Sequence, residues 1–334
     1  MKALVVGGGS IGKRHLHNLR SLGVASLGLV EPDTERRKLL SPSVAAEFSS
    51  LEQGLDWKPD FVLIATPPHL HCRQALDVTR RGIDLFVEKP LSHSAEGMEE
   101  LAELVARERL VSMVGCNMRF HPGPSTLHEL ISEGRLGKLL FGRIQVGSYL
   151  PDWRRGSDYA QNYAAKAETG GGCILDCVHE VDLARWYFGN VQQVFCSAFH
   201  LSSLKIETED VAAIICRHAS GTMSEIHLDY VQRSYERGCQ IVGEKGSLFW
   251  DFRDRQVRWF DGESGAWNSF PQPAEWELNQ MYLDELAHFL ECVREREPTV
   301  LPIAEGVELM RVVFAAKASA MQHKMVPTAM EVFA

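Results

Sequence analysis

The stretch Val5-Val6-Gly7-Gly8-Gly9-Ser10-Ile11-Gly12 constrains this chain more than any other. The apolar run 3–6 reads as a buried parallel strand. Residues 13–22, with Leu16, Leu19 and Leu22 on one side, read as a helix. Between them Gly7, Gly9 and Gly12 fit G-x-G-x-x-G. Gly7 permits a tight turn, Gly9 lets backbone approach a pyrophosphate, and Gly12 lets helix and strand pack closely. The helix start at Ser10 and Ile11 offers N–H groups and a positive dipole end to phosphates. A second apolar strand, 26–30, ends at Glu31, nineteen residues past Gly12, where a carboxylate accepts hydrogen bonds from an adenosine ribose. Gly7, Gly9, Ser10, Ile11, Gly12 and Glu31 are therefore candidate cofactor-binding residues. Glu31 favours NAD over NADP because a carboxylate repels a 2′-phosphate. Arg36 and Arg37 follow on an expected helix, where a solvated basic face is the simplest reading.

The 334 residues suffice for two domains with sizeable cores. A net charge of −9 argues against nucleic acid or an anionic membrane surface as the main partner. No apolar run approaches the ~20 residues that span a bilayer. The first strand begins at the N-terminus, with no room for a signal peptide, and a cytoplasmic location is expected. Eight cysteines without a C-x-x-C pair, several in apolar runs, read as buried free thiols. Cys173 and Cys177 with nearby His179 do not have a recognised zinc spacing, and no metal is expected.

Up to about residue 120, strand-like and helix-like segments alternate. Residues 60–66, 84–88 and 111–116 read as strands; 69–81 and 94–108 read as helices, with Ser94 as a cap. This rhythm predicts a doubly wound parallel sheet. Beyond Asn117 come a helix near 126–133, a long strand at 139–149, a polar-aromatic loop and a helix after Gly170-Gly171-Gly172. Six further strands follow without intervening helices: 191–199, 210–218, 223–231, 238–242, 248–252 and 257–260. Helices at 277–295 and 305–324 close the chain. The expected fold class is α/β: an N-terminal Rossmann domain (1–120), then a domain (121–334) with a large, mostly antiparallel open sheet, the C-terminal helices packing back.

Thr66, Pro67 and His69 lie just past one central strand, and Glu88-Lys89-Pro90 just past the next. Carboxyl ends of parallel strands line the ligand crevice, so Lys89 should point into it. In the helix expected after the triple glycine, His179 has Asp176 and Asp182 one turn away on either side, with Glu180 adjacent. A nearby carboxylate fixes a histidine tautomer and raises its pKa, which suits a proton-transfer residue. A satisfied core histidine is the alternative.

The segments 7–15, Ala-Thr-Pro-Pro-His at 65–69, Glu-Lys-Pro at 88–90, Asn-Met-Arg-Phe at 117–120 and the Gly-Gly-Gly…Asp…His run at 170–179 together resemble the Gfo/Idh/MocA family. This is the glucose–fructose oxidoreductase and inositol dehydrogenase group. The likeness runs nearly end to end, with Val-Gly-Glu-Lys-Gly at 242–246 and the segment 304–311 also similar. It implies NAD(P)-dependent redox chemistry at a sugar, nucleotide-sugar or cyclitol hydroxyl. Lys89 would hydrogen-bond the reacting oxygen, and His179 would be the general acid/base. Asp176 would orient His179 or bind a substrate hydroxyl, and Asn117 and Arg119 would lie near nicotinamide and substrate. Many members space the acid and histidine as D-x-x-x-H; here Asp176 and His179 are D-x-x-H, so Glu180 and Asp182 compete as partners. This variant resembles a subgroup associated with surface-sugar biosynthesis. The family also implies a cis Lys89–Pro90 bond and an open sheet that often mediates oligomers, so a homo-oligomer, dimer or tetramer, is expected.

The loop 149–168 is the expected source of substrate selectivity. Trp153 and Tyr163 can cover a sugar ring, and Arg154 can clamp an anionic group. The same parts could serve a retained-NAD epimerase or eliminase, or a non-catalytic cofactor-gated sensor. Keeping both Lys89 and His179 favours an enzyme.

Overall fold

The computed structural model describes residues 1–153, 156 and 158–329. They divide into two compact units. The first comprises Met1–Asn117 with Leu278–Met310; the second comprises Met118–Glu277 with the residues from Arg311 on. The helix near 277–295 thus belongs with the N-terminal unit.

The first unit alternates as the sequence predicts: β1 (Lys2–Val6), α1 (Ser10–Ser21), β2 (Ser26–Val30), α2 (Thr34–Leu40), β3 (Ala46–Phe48), α3 (Leu51–Asp56), β4 (Phe61–Ile64), α4 (Pro68–Thr79), β5 (Asp84–Glu88), α5 (Met98–Arg107) and β6 (Ser112–Gly115). The parallel sheet has the order β3-β2-β1-β4-β5-β6. Its order reverses between β1 and β4, the place where open α/β sheets bind ligands. Val6 pairs with both Val30 and Ile64, which brings Gly7, Glu31 and Ala65 to one edge of the sheet. Central strands β4 and β5 are buried on both faces, so they read as continuous apolar runs. The helix expected at Arg36 and Arg37 is α2; the short elements β3 and α3 carry weak patterns and were not anticipated. Asp33 caps α2 by accepting from the Arg36 N–H at 2.7 Å. Ser94 is not a helix cap: α5 starts at Met98 after Gly97, which turns at φ 76°.

The second unit is built from α6 (Pro122–Ser132), β7 (Leu139–Gly147), α7 (Cys173–Asp176), α8 (Val178–Phe188), β8 (Val191–Phe199), β9 (Val211–His218), β10 (Met223–Asp229), β11 (Glu236–Gly243), β12 (Gly246–Asp251), β13 (Gln256–Asp261) and β14 (Ala266–Pro271). The chain then continues through α9 (Gln280–Glu295), α10 (Ile303–Gln322) and β15 (Val326–Pro327). Nine strands form one sheet in the order β14-β13-β12-β11-β7-β10-β9-β8-β15. Only β10 and β7 pair parallel. β14 escaped the sequence reading because its residues are mostly exposed and lack apolar alternation.

Alternation gives this sheet two faces. Ile144, Val146, Ala212, Ile214, Ile226, Leu228 and Ile241 are buried on one, where α6, α7 and α8 pack. On the other, Phe195 and Ile215 are cross-strand partners beside an exposed Glu225–Arg143 ion pair of 2.8 Å. Phe195, Ile215 and Met223 are each more than a third exposed there. All eight cysteines are free and buried, as expected. Among the described residues no helix is long and apolar enough to cross a membrane, and no group of three or more His, Cys, Asp or Glu could hold a metal.

Candidate active site

In the first unit, the glycine turn has the geometry its motif requires. Gly7 has φ 102°, and an added Cβ there would lie 2.7 Å from the Ala65 carbonyl oxygen. A Cβ on Gly12 would lie 1.9 Å from the Gly7 carbonyl oxygen, so helix and strand tolerate only glycine. Gly9 differs: nothing lies within 4 Å of its would-be Cβ. It precedes α1, whose start carries no side-chain cap, and Ser10 beside it is exposed. This uncapped helix start, with open space at Gly9, fits a dinucleotide pyrophosphate.

Glu31 is almost fully buried at the end of β2. Its Oε2 accepts from the Gly8 N–H at 2.8 Å and lies 3.3 Å from an Arg36 nitrogen; its Oε1 accepts from the Asp33 N–H at 3.0 Å. Each carboxylate oxygen has about two acceptor positions, so Oε1 retains capacity for a ribose hydroxyl. Arg36 is therefore not merely on a solvated face; it partly neutralises the residue expected to select the cofactor. Arg37 instead donates to the Glu31 carbonyl oxygen at 2.6 Å.

The turns after β4 and β5 are tied together. One ring nitrogen of the buried His71 lies 2.7 Å from the Thr66 carbonyl oxygen and the other 2.8 Å from that of Pro90. Burial lowers the His71 pKa, and a neutral imidazole can donate to only one of these carbonyls. Thr66 also donates to Gln74 at 2.6 Å. Pro67 is exposed and precedes α4; His69 is part-buried in its first turn. Glu88 meets the fully buried His15 at 2.6 Å, and its other oxygen accepts from the Lys89 N–H at 3.1 Å. Lys89 is part-buried and the Lys89–Pro90 bond is cis, as expected. Asn117 is buried after β6, in the unit that also holds α9. The bonds of His15 to Glu88 and of His71 to Pro90 had no local trace in the sequence, because these partners lie 73 and 19 residues away.

In the second unit, the helix after the triple glycine is broken. Its first turn, α7, ends at Asp176; Cys177 turns at φ −89°, ψ 36°; α8 restarts at Val178. Asp176 and His179 therefore do not share one continuous helical face, which corrects the expectation drawn from their spacing. Both are buried. The three candidate acids are separated by their partners. Asp182, with no exposed side chain, is held bidentately by Arg119 at 2.7 and 2.8 Å. Glu180 pairs with Arg237 at 2.7 Å. Asp176 instead accepts from the Tyr163 hydroxyl at 3.0 Å and the Tyr230 hydroxyl at 3.4 Å. Burial, together with neighbouring Asp176, pushes the Tyr230 pKa well up, so it remains a donor. Arg119 also lies over the Trp186 ring at 5.2 Å, so the structure binds it into the α8 packing.

Trp153 packs edge-on against Tyr230 at 5.2 Å and its indole N–H donates to Ser148. Trp153, Tyr163, Tyr230 and Asp176 thus form one cluster. Tyr230 was legible only as a member of an apolar strand alternation, which gives no hint of its hydroxyl's partner. Arg154 lies outside the described residues.

Two family models match the chain. A model for an oxidoreductase family with an NAD-binding Rossmann fold covers residues 1–116, and a GFO/IDH/MocA C-terminal domain model covers 125–249. A myo-inositol 2-dehydrogenase of Thermotoga maritima is 25% identical over 332 residues, covering 96% of each chain. A levoglucosan dehydrogenase solved with NADH and levoglucosan superposes with a TM-score of 0.89 at 18% identity, covering 99% of this chain and all of that one. The WlbA dehydrogenase from Bordetella pertussis, solved with NADH and UDP-GlcNAcA, superposes with a TM-score of 0.82 at 23% identity, covering 98% of each. The chain belongs to the Gfo/Idh/MocA family of oxidoreductases with an NAD-binding Rossmann fold.

Proposed function

We propose that this protein is an NAD-dependent dehydrogenase acting on a secondary hydroxyl of a sugar, nucleotide sugar or cyclitol. The observation that carries the reading is the pairing of chemistries along the chain. A glycine cradle with a ribose-accepting Glu31 accompanies a buried His179 and a buried Asp176 that accepts from the Tyr163 and Tyr230 hydroxyls. Family membership and the inositol dehydrogenase relative support the substrate class.

NAD⁺, when bound, supplies the two-electron acceptor for the hydride of the carbinol carbon. The chain's own groups handle the proton and the charge. His179 takes the hydroxyl proton as the C–H bond breaks, leaving a carbonyl. Lys89 donates to the reacting oxygen and stabilises its developing negative charge. Asp176 is the preferred orienting acid, because Asp182 and Glu180 already neutralise the part-buried Arg119 and Arg237. Trp153 and Tyr163 form the sugar-facing wall. NAD is preferred to NADP through Glu31, with Arg36 narrowing the margin. The apolar patch around Phe195, Ile215 and Met223 supports self-association through the open sheet face.

A panel of sugars, nucleotide sugars and cyclitols followed by NADH absorbance tests the reading. At least one class should yield stoichiometric NADH. Conversion of a sugar with no net NADH would replace the dehydrogenase by an epimerase or eliminase that retains its cofactor. Light scattering at micromolar concentration should show an oligomer; monomer alone would contradict the sheet-face assignment.

A further inference from the structure

We propose that Glu209 is a positioning residue whose carboxylate holds the turn carrying Asp176 and, through it, His179. This rests on the proton-transfer roles proposed above. Glu209 lies just before β9, 35 residues from the turn it braces. Its Oε1 accepts from the Ile174 N–H at 3.1 Å, while its own carbonyl oxygen accepts from the Cys173 N–H at 3.2 Å. One residue thus grips two successive amides at the start of α7. Asp176 closes the same turn by donating its N–H to the Gly172 carbonyl oxygen at 3.0 Å.

The glycine before this turn exists in a form that admits the carboxylate. Gly172 sits at φ 106°, and an added Cβ would lie 2.4 Å from Glu209 Oε1. The groups facing Glu209 are Lys317 of α10, Asp210, Cys173 of α7 and Cys196 of β8. Burial raises the Glu209 pKa, and backbone amides and Lys317 offset this only in part. Because α7 is a single turn separated from α8 at Cys177, little within the helix itself fixes Asp176 against His179. A turn this short depends on fixing from outside.

The test compares Glu209→Ala, Glu209→Asp and Glu209→Gln with His179→Ala as a control. NAD affinity, kcat and KM for the best panel substrate are read, together with the ring signals of His179 in ¹⁵N-histidine-labelled protein. Glu209→Ala should lower kcat at least about tenfold, since small misplacements of reacting groups are costly. NAD affinity should stay unchanged, and the His179 signals should move. Glu209→Gln, which still accepts from Ile174, should restore both; Glu209→Asp, too short to reach, should behave like Ala even if Ala itself folds poorly. Unchanged kcat and unchanged His179 signals in the Ala and Asp variants would overturn the proposal. So would parallel losses of NAD affinity and kcat in all three variants, which mark a general folding defect. If His179→Ala keeps full turnover, the proton-transfer reading fails instead. The His179 signals test the brace even where no panel substrate turns over.

Discussion

Two glycine-rich turns, 7–12 and 170–172, lead into helices, and each has a carboxylate of the chain against one amide, yet they differ at the helix start. In the first, Glu31 accepts from the Gly8 N–H at 2.8 Å, but Gly9 faces open space and the helix start is left uncapped. The second is filled from within, by the Glu209 carboxylate lying against Gly172 and the Ile174 amide. Glycine therefore serves two ends in one chain. At Gly9 it leaves room for an anion brought from outside; at Gly172 it leaves room for an anion the chain provides. The comparison teaches that a glycine turn before a helix signals an anion, and only the surrounding charges say whose.

The largest effects should separate the two turns by what is lost. Lys89→Met and His179→Ala should fold and bind NAD while turnover falls at least ~10²-fold, the scale of a positioned acid or base. Asp176→Asn should act on turnover and Asp182→Asn on stability. Asp182→Asn weakens the bidentate pair with the part-buried Arg119, which costs about 1–3 kcal/mol, to be read from denaturant unfolding. If Asp182→Asn instead kills turnover in a stable protein, the choice of Asp176 as partner is wrong.

Next in size are the glycines. Gly9→Ala meets no protein atom and should leave apo stability unchanged, while NAD affinity falls about tenfold through lost pyrophosphate approach. Gly172→Ala should do the reverse: NAD affinity kept, turnover and stability reduced. Isothermal titration and thermal melts on both variants would erase the contrast if the two behaved alike.

A smaller effect concerns Glu31. Arg36→Ala should widen the preference for NAD over NADP severalfold by removing the cation that would welcome a 2′-phosphate, and Glu31→Gln should narrow it. Equal or tighter NADP binding by the wild type would overturn the cofactor preference.

The smallest is a pH effect at His121. His121 accepts from the Gly123 N–H at 3.0 Å and is packed by Trp250 and Trp276. Burial, with Arg237 and Arg255 adding to it, holds its pKa down at about 3. The unfolded state therefore binds a proton the folded state refuses. His121's contribution is complete above the ordinary histidine value of ~6.5 and is lost as pH falls towards 3. Unfolding at pH 7 and pH 5 should show less acid sensitivity in His121→Phe than in the wild type.

The sequence carried the first turn well and the second poorly. The first depends on local order: strand, glycines, helix, strand, then Glu31, each set by near neighbours. Periodicity likewise exposed most of the sheet strands, because one face of each is buried. The second turn depends on contacts with no local trace. Glu209 sits 35 residues from Ile174, and Tyr230 sits 54 from Asp176. The break at Cys177 was also hidden: the residues after the triple glycine read as one helix, with no glycine or proline at Cys177 to mark an interruption. Long-range polar pairs also sorted the three acids around His179, which spacing alone left equivalent.

The most direct measurement of the central claim follows a labelled hydrogen. A panel substrate carrying deuterium at its reacting carbinol carbon is incubated with the holoenzyme, and the cofactor is analysed by mass spectrometry. The dehydrogenase reading predicts deuterium on the released NADH, with none appearing in His179→Ala at the same times. Product formed with no deuterium on the nicotinamide, or label lost to water, would contradict it.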